Sequence, residues 1–314
     1  MKFGSFCVGL IWFNLSLAIQ LPGYETDLQI KLNKLTKNHD YNGQQTNTGE
    51  NTEDSQWPAR VAYTSVLRYD FDVVAFTDSQ LAGLVIQAWD EMDKLHADWI
   101  KSCKSNQKNM KKIRPGMMTA IAFGKTVYLG SSIKQNADNI LLSHSNGVLT
   151  RAVTGCRIAW LLKKGVTGYG TDKEPSKSHR SGASCGEIIT ASMVLQDTKK
   201  LPMDHVTEKQ KVRIISYGSG KGYNTTPKLW APCNAELYDP TKDKNRNNEP
   251  YNAMGCYQMS EWQRLTIIDP DKQTITPMKV TAKPLEPRTE IDLNDVWTIT
   301  TEEVYSNIPY PDTD

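Results

Sequence analysis

Beyond its first residues the chain lacks any apolar run near the about 18 residues that a membrane-spanning helix needs, so it does not read as a membrane protein. It lacks an excess of either charge, with 37 Lys and Arg against 35 Asp and Glu. That balance is not the signature of a dedicated nucleic-acid binder, although it leaves room for a local basic groove. No internal repeat is visible, so a repeat architecture is not indicated. No Ser/His/Asp order accompanies a nucleophile elbow. "GSGKG" at 218–222 follows a strand-like run but lacks the first Gly at P-loop spacing and the Ser or Thr after its Lys.

What is present starts with the N-terminus. "MKFGSFCVGLIWFNLSLA" has one Lys, an apolar run from Phe6 to Phe13, and Ser16-Leu17-Ala18. Small residues at the third and first positions before a cut read as a signal peptidase site, so residues 1–18 are expected to be a signal peptide and the protein to be secreted. The mature chain then keeps five cysteines: Cys103, Cys156, Cys185, Cys233 and Cys256. Secretion favours disulfides, and an odd count leaves at least one thiol free, metal-bound or paired between chains. Residues 19–56 are polar and rich in Asn, Gln and Thr, and read as a disordered linker before a folded part that begins near Trp57.

Residues 61–67 and 70–75 read as short strands. Thr77, Asp78 and Ser79 offer a cap for a helix over 79–101. Its apolar stripe is Leu81, Leu84, Val85, Ala88, Trp89, Met92, Leu95 and Trp99. "KSCKSNQKNMKKIRPG" follows with six cations and no acid, either as a solvated turn or as a phosphate-facing groove. Residues 117–134 read as a hairpin turning at Gly124-Lys125, and part of 137–164 reads as helix. A helix over 186–196, a strand over 211–218, a short helix in "GCYQMSEWQ" and a strand over 264–269 come next. Alternating units of this kind build a three-layer α/β sandwich, a mixed sheet with helices on both faces. After 270 the chain turns Pro-rich and β-like. The tryptophans, Trp89, Trp99, Trp160, Trp230 and Trp262 among them, fill the core or line a pocket.

Cys185-Gly186-Glu187 opens the helix at 186, Pro232-Cys233 follows the next strand, and Gly255-Cys256 opens the short helix. Zinc deaminases place a His or Cys at a helix N-terminus, a Glu two residues later, and a Pro-Cys with a further Cys at the next helix. In its stretch from about 79 to 270 the chain therefore resembles the cytidine-deaminase-like zinc superfamily. It also looks like a group of secreted fungal proteins with CGE and PC…GC patterns. By that resemblance residues 57–314 form a single deaminase-like domain with a β-rich C-terminal extension. The same resemblance implies that Cys185, Cys233 and Cys256 would bind zinc, that Glu187 would shuttle protons, and that the substrate would be a nucleobase, free, in a nucleoside or in nucleic acid. The sequence departs from that pattern: the superfamily has two residues between its later cysteines, and here 22 separate Cys233 from Cys256. The residues themselves also allow a non-catalytic secreted interaction protein. In it a Cys233–Cys256 disulfide closes a surface insert, Cys103–Cys156 is a second bridge, Cys185 is free and Glu187 is a first-turn acid favoured by the helix dipole.

Overall fold

A computed structural model describes residues 28–35, 60–102, 107–134, 148–163, 184–219, 225–233 and 255–285. The expected signal peptide, Cys103 and the C-terminal residues after 285 lie outside them. The chain has an α/β fold built on a mixed sheet of seven strands. In chain order the strands are β1 (Lys31–Leu35), β2 (Arg60–Arg68), β3 (Met117–Phe123), β4 (Thr126–Ser131), β5 (Arg213–Gly218), β6 (Lys228–Trp230) and β7 (Thr266–Ile267). The helices are α1 (Asp78–Ser102), α2 (Gln107–Lys112), α3 (Val148–Lys163), α4 (Gly186–Thr198) and α5 (Cys256–Trp262).

The sheet runs β1-β2-β4-β3-β5-β6, all antiparallel. Strand β7 joins β5 in parallel. Along the outer edge of β5, β7 pairs with Arg213 and Ile214 while β6 pairs with Ser216 to Gly218. Because strand side chains alternate, each central strand feeds two apolar clusters. Tyr128, Ile121 and Ile214 pack with α3, α4 and α5 residues such as Val153, Ile188, Ile189 and Met259. Leu129, Ala120 and Ile215 pack with Leu81, Leu84, Val85 and Trp89 of α1.

Helix α1 starts with a capping box, since Thr77 Oγ1 accepts from Gln80 N–H and Gln80 Oε1 accepts from Thr77 N–H. Its stripe is buried from Leu81 to Met92, but Leu95 is 41% exposed and His96 takes the inward position. Burial lowers the His96 pKa, and the ring is partnered on both sides: Nδ1 meets the Tyr63 hydroxyl at 2.8 Å and Nε2 meets Met110 O at 3.1 Å. A neutral ring donates through one nitrogen and accepts through the other, so this side chain is satisfied without charge.

Three expectations change. Residues 31–35, read as part of a polar linker, form a strand: β1 pairs with β2 over five residues, and Leu28 and Ile30 just before it are buried. Residues 70–75 form no strand. Asp72 accepts from Val74 N–H and caps a 3-10 turn at Val73–Ala75. The guanidinium of buried Arg213 donates to Val73 O and Phe76 O, both at 2.6 Å, so β5 holds that turn in place. The segment after 270, read as β-like, contains no strand among the described residues and runs as a strap. It crosses α1 at Gly83, where a Cβ would run into the backbone of Met278, and Met278 N–H donates to Ser79 O at 2.9 Å.

Candidate metal centre

Three chain segments meet at one end of the sheet. Cys185 is the N-cap of α4 and its thiol faces the loop after β6. The helix lies unusually close to the strands beneath it. A Cβ on Gly186 would stand 2.5 Å from Thr119 Oγ1 and 3.1 Å from Gly130 O. The middle residue of Cys-Gly-Glu is therefore set by packing, and it lets the two functional neighbours sit against the sheet.

Cys233 follows β6 and Cys256 opens α5. The 22 intervening residues matter little to the geometry at their ends. Cys256 N–H donates to Cys233 Sγ at 3.2 Å, and Tyr257 N–H donates to Cys233 O at 3.0 Å. Cys233 thus caps a helix that begins far along the chain. Its sulfur also lies 3.7 Å from Cys185 Sγ. All three sulfurs fall within 4.8 Å of one another and can hold a metal ion. No disulfide joins them among the described residues, so the alternative Cys233–Cys256 bridge is not seen. The other proposed bridge needs Cys103, outside the described residues, while Cys156 is buried in the α3 cluster.

Glu187, in the first turn of α4, is 7% exposed. Ser216 on β5 donates to its Oε1 at 3.0 Å, and Ser216 Oγ in turn lies 2.7 Å from Thr119 Oγ1 on β3. Burial, then the adjacent Cys233, pushes the Glu187 carboxyl up to about 7. The Cys185 thiol is held well above its ordinary range, first by its hydrogen bond with Cys233. Cys256 is raised mainly by burial. The neighbours acting on Cys185 are Cys233, Cys256 and Glu187, each of which becomes negative on losing a proton. Only a cation among them lets these groups ionise together, which is the electrostatic argument for a bound metal.

The four residues expected from the sequence, Cys185, Glu187, Cys233 and Cys256, are therefore neighbours. Ser216 and Thr119 were not singled out by sequence reasoning. Their signal is a polar residue inside an apolar strand run, as in "RIISYG" and "MMTAIAF". No protein-family model matches the chain, and no curated protein or solved structure matches it at a significant level.

Proposed function

We propose that the protein is a secreted, zinc-dependent hydrolytic deaminase of a nucleobase, with Cys185, Cys233 and Cys256 as metal ligands and Glu187 as the proton carrier. The reading is carried by one observation: three thiols converge around a single point beside a buried carboxyl group that is not itself needed as a ligand. Tetrahedral zinc with Zn–S bonds of about 2.3 Å spaces its sulfurs about 3.8 Å apart. The 3.7 Å between Cys185 Sγ and Cys233 Sγ fits that spacing.

Bound there, zinc supplies a Lewis acid with one open position and a water of lowered pKa. The protein's own part is proton traffic. Hydrolytic deamination replaces an exocyclic amino group with a carbonyl oxygen and releases ammonia. Glu187 takes a proton from the attacking water and returns it to the base, and the buried setting that holds its carboxyl near 7 suits both directions. Ser216 keeps Oε1 oriented by its hydrogen bond. The α4 N-terminus stabilises negative charge on Cys185.

Elemental analysis of the purified, unreduced protein should find about one zinc per chain, as a three-ligand site requires. Glu187→Gln should keep that zinc and the fold while abolishing turnover across a panel of cytosine, adenine and guanine bases, nucleosides and oligonucleotides. Metal-free native protein would end the proposal, and so would a Glu187→Gln variant that still releases ammonia from those substrates.

A further inference from the structure

The end of the sheet that carries the cysteine cluster also concentrates positive charge. Between Gln107 and Lys134 the chain has no acid; Lys108, Lys111, Lys112, Arg114 and Lys134 lie toward this end, while Lys125 sits at the β3–β4 turn and donates to Asp70 O. Lys108, Lys111 and Lys112 are exposed on α2. That helix runs into Arg114 and then Gly116 and Met117, whose N–H groups both donate to Ser132 Oγ at 3.1 Å. The next residue, Ile133, donates to Ser184 O at 2.9 Å, and Ser184 precedes Cys185. Lys134 follows Ile133; burial, and then the nearby Arg114, lowers its pKa. A run of cations thus leads from α2 through Arg114 and Lys134 to one flank of the cluster. The acids beside this run lie on α1: Asp93 meets Arg114 Nε at 2.6 Å, and Asp98 meets Lys101 at 3.1 Å.

The opposite flank is β6. Trp230 pairs in register with Ser216, the residue that donates to Glu187, so its indole lies on the same face of the sheet as that carboxylate. Trp230 Nε1 donates to Gly218 O at 2.8 Å, which fixes the ring. Lys228, on the same face, holds its Nζ 4.3 Å from the ring centroid. Trp89, which serves packing, is 2% exposed, whereas Trp230 is only half-buried.

We infer that this end of the sheet binds single-stranded nucleic acid, with phosphates along the α2–Arg114–Lys134 run and a base stacked on Trp230 next to the cysteine cluster. Cations tracking a backbone and an aromatic face that accepts any base are the two elements of such binding. A duplex would first have to release its base from the stack, which a single strand does not. The choice of ligand rests on the base-modifying reading above, but the test does not use turnover.

The test is fluorescence anisotropy of the full-length protein with labelled single-stranded DNA and RNA oligonucleotides over a salt series, with heparin as a polyanion that has no bases. Lys111→Ala/Lys112→Ala should make the slope of log affinity against log salt shallower by about 1.4, from about 0.7 per phosphate contact. Trp230→Ala should weaken oligonucleotide binding by about 5- to 150-fold, the range of base–aromatic stacking, and leave heparin binding unchanged. Trp230→Phe should recover most of the loss. If Trp230→Ala melts early, Trp230→Leu carries the same comparison with an apolar but non-aromatic side chain. The inference is overturned by absence of oligonucleotide binding at low salt, by a slope indifferent to the lysines, or by Trp230 variants that lose heparin and oligonucleotide equally. Zinc measured in the same samples separates the two proposals. Metal-free protein that binds oligonucleotides keeps this inference and ends the deaminase reading. Zinc-loaded protein that turns over a free base but ignores oligonucleotides does the reverse.

Discussion

Two neighbouring residues on β5 look in opposite directions and meet different worlds. Tyr217 turns toward α1, where its ring lies 6.2 Å from Trp89 in an edge-to-face contact within an apolar cluster. Ser216 turns toward α4, where it joins Thr119 and Glu187 in a buried polar chain beside three thiols. The α1 face is closed by ring packing. The α4 face keeps hydroxyls, a carboxyl group and sulfurs in a place where each must be partnered to be tolerated. Burial is equally deep on both faces, so depth does not separate core from site; the chemistry of what is buried does.

That contrast can be broken from either side. The largest effect is expected at the metal. Under the proposed zinc reading, Cys256→Ser should reduce bound zinc from about one per chain to near none and lower the melting temperature sharply, since structural zinc sites contribute on the order of 10 kcal/mol. Retained stoichiometric zinc in that variant would remove Cys256 from the ligand set. Trp89→Ala, on the opposite face, should cost about 3–5 kcal/mol in denaturant unfolding, the usual range for a buried ring, and leave zinc content unchanged. Loss of metal there would show that the two faces are not independent. Gly186→Ala should cost about 1–3 kcal/mol through overpacking against Thr119 and Gly130, and should also weaken metal retention in a chelator titration because Cys185 and Glu187 move with it. The smallest effect belongs to Leu95→Ala. Its side chain is 41% exposed, and the change should stay within about 0.5 kcal/mol.

Leu95 also marks how far periodicity carries. The spacing of Leu81, Leu84, Val85, Ala88, Trp89 and Met92 located α1 and its buried face, because those residues follow one side of a 3.6-residue turn. Near the end of the helix Tyr63 of β2 and Met110 O of α2 select His96 for the inward position instead. The hairpin, the Cys-Gly-Glu helix and the strand after it were legible for the same local reason. Strand β1 was not: Lys31–Leu35 lies in a polar stretch, and only pairing with β2 makes it a strand, with Leu28 and Ile30 buried just before it. The segment at 70–75 has strand-like composition, but the Asp72 cap and the Arg213 guanidinium decide for a turn. The basic stretch after α1 contains α2, held by Met110, which is buried and accepts from His96.

Local sequence by itself determined the α/β class and the main helices, because helix starts and apolar periods are properties of neighbouring residues, while the four residues of the candidate site were marked out by a motif resemblance. Only the tertiary structure decided that Cys233 and Cys256 come together as thiols rather than as a disulfide, that Ser216 and Thr119 orient Glu187, and that Trp230 stands beside them. Those relations join residues far apart in the chain. They depend on strand order and register, and register places a side chain on one face or the other in a way that no local pattern can specify.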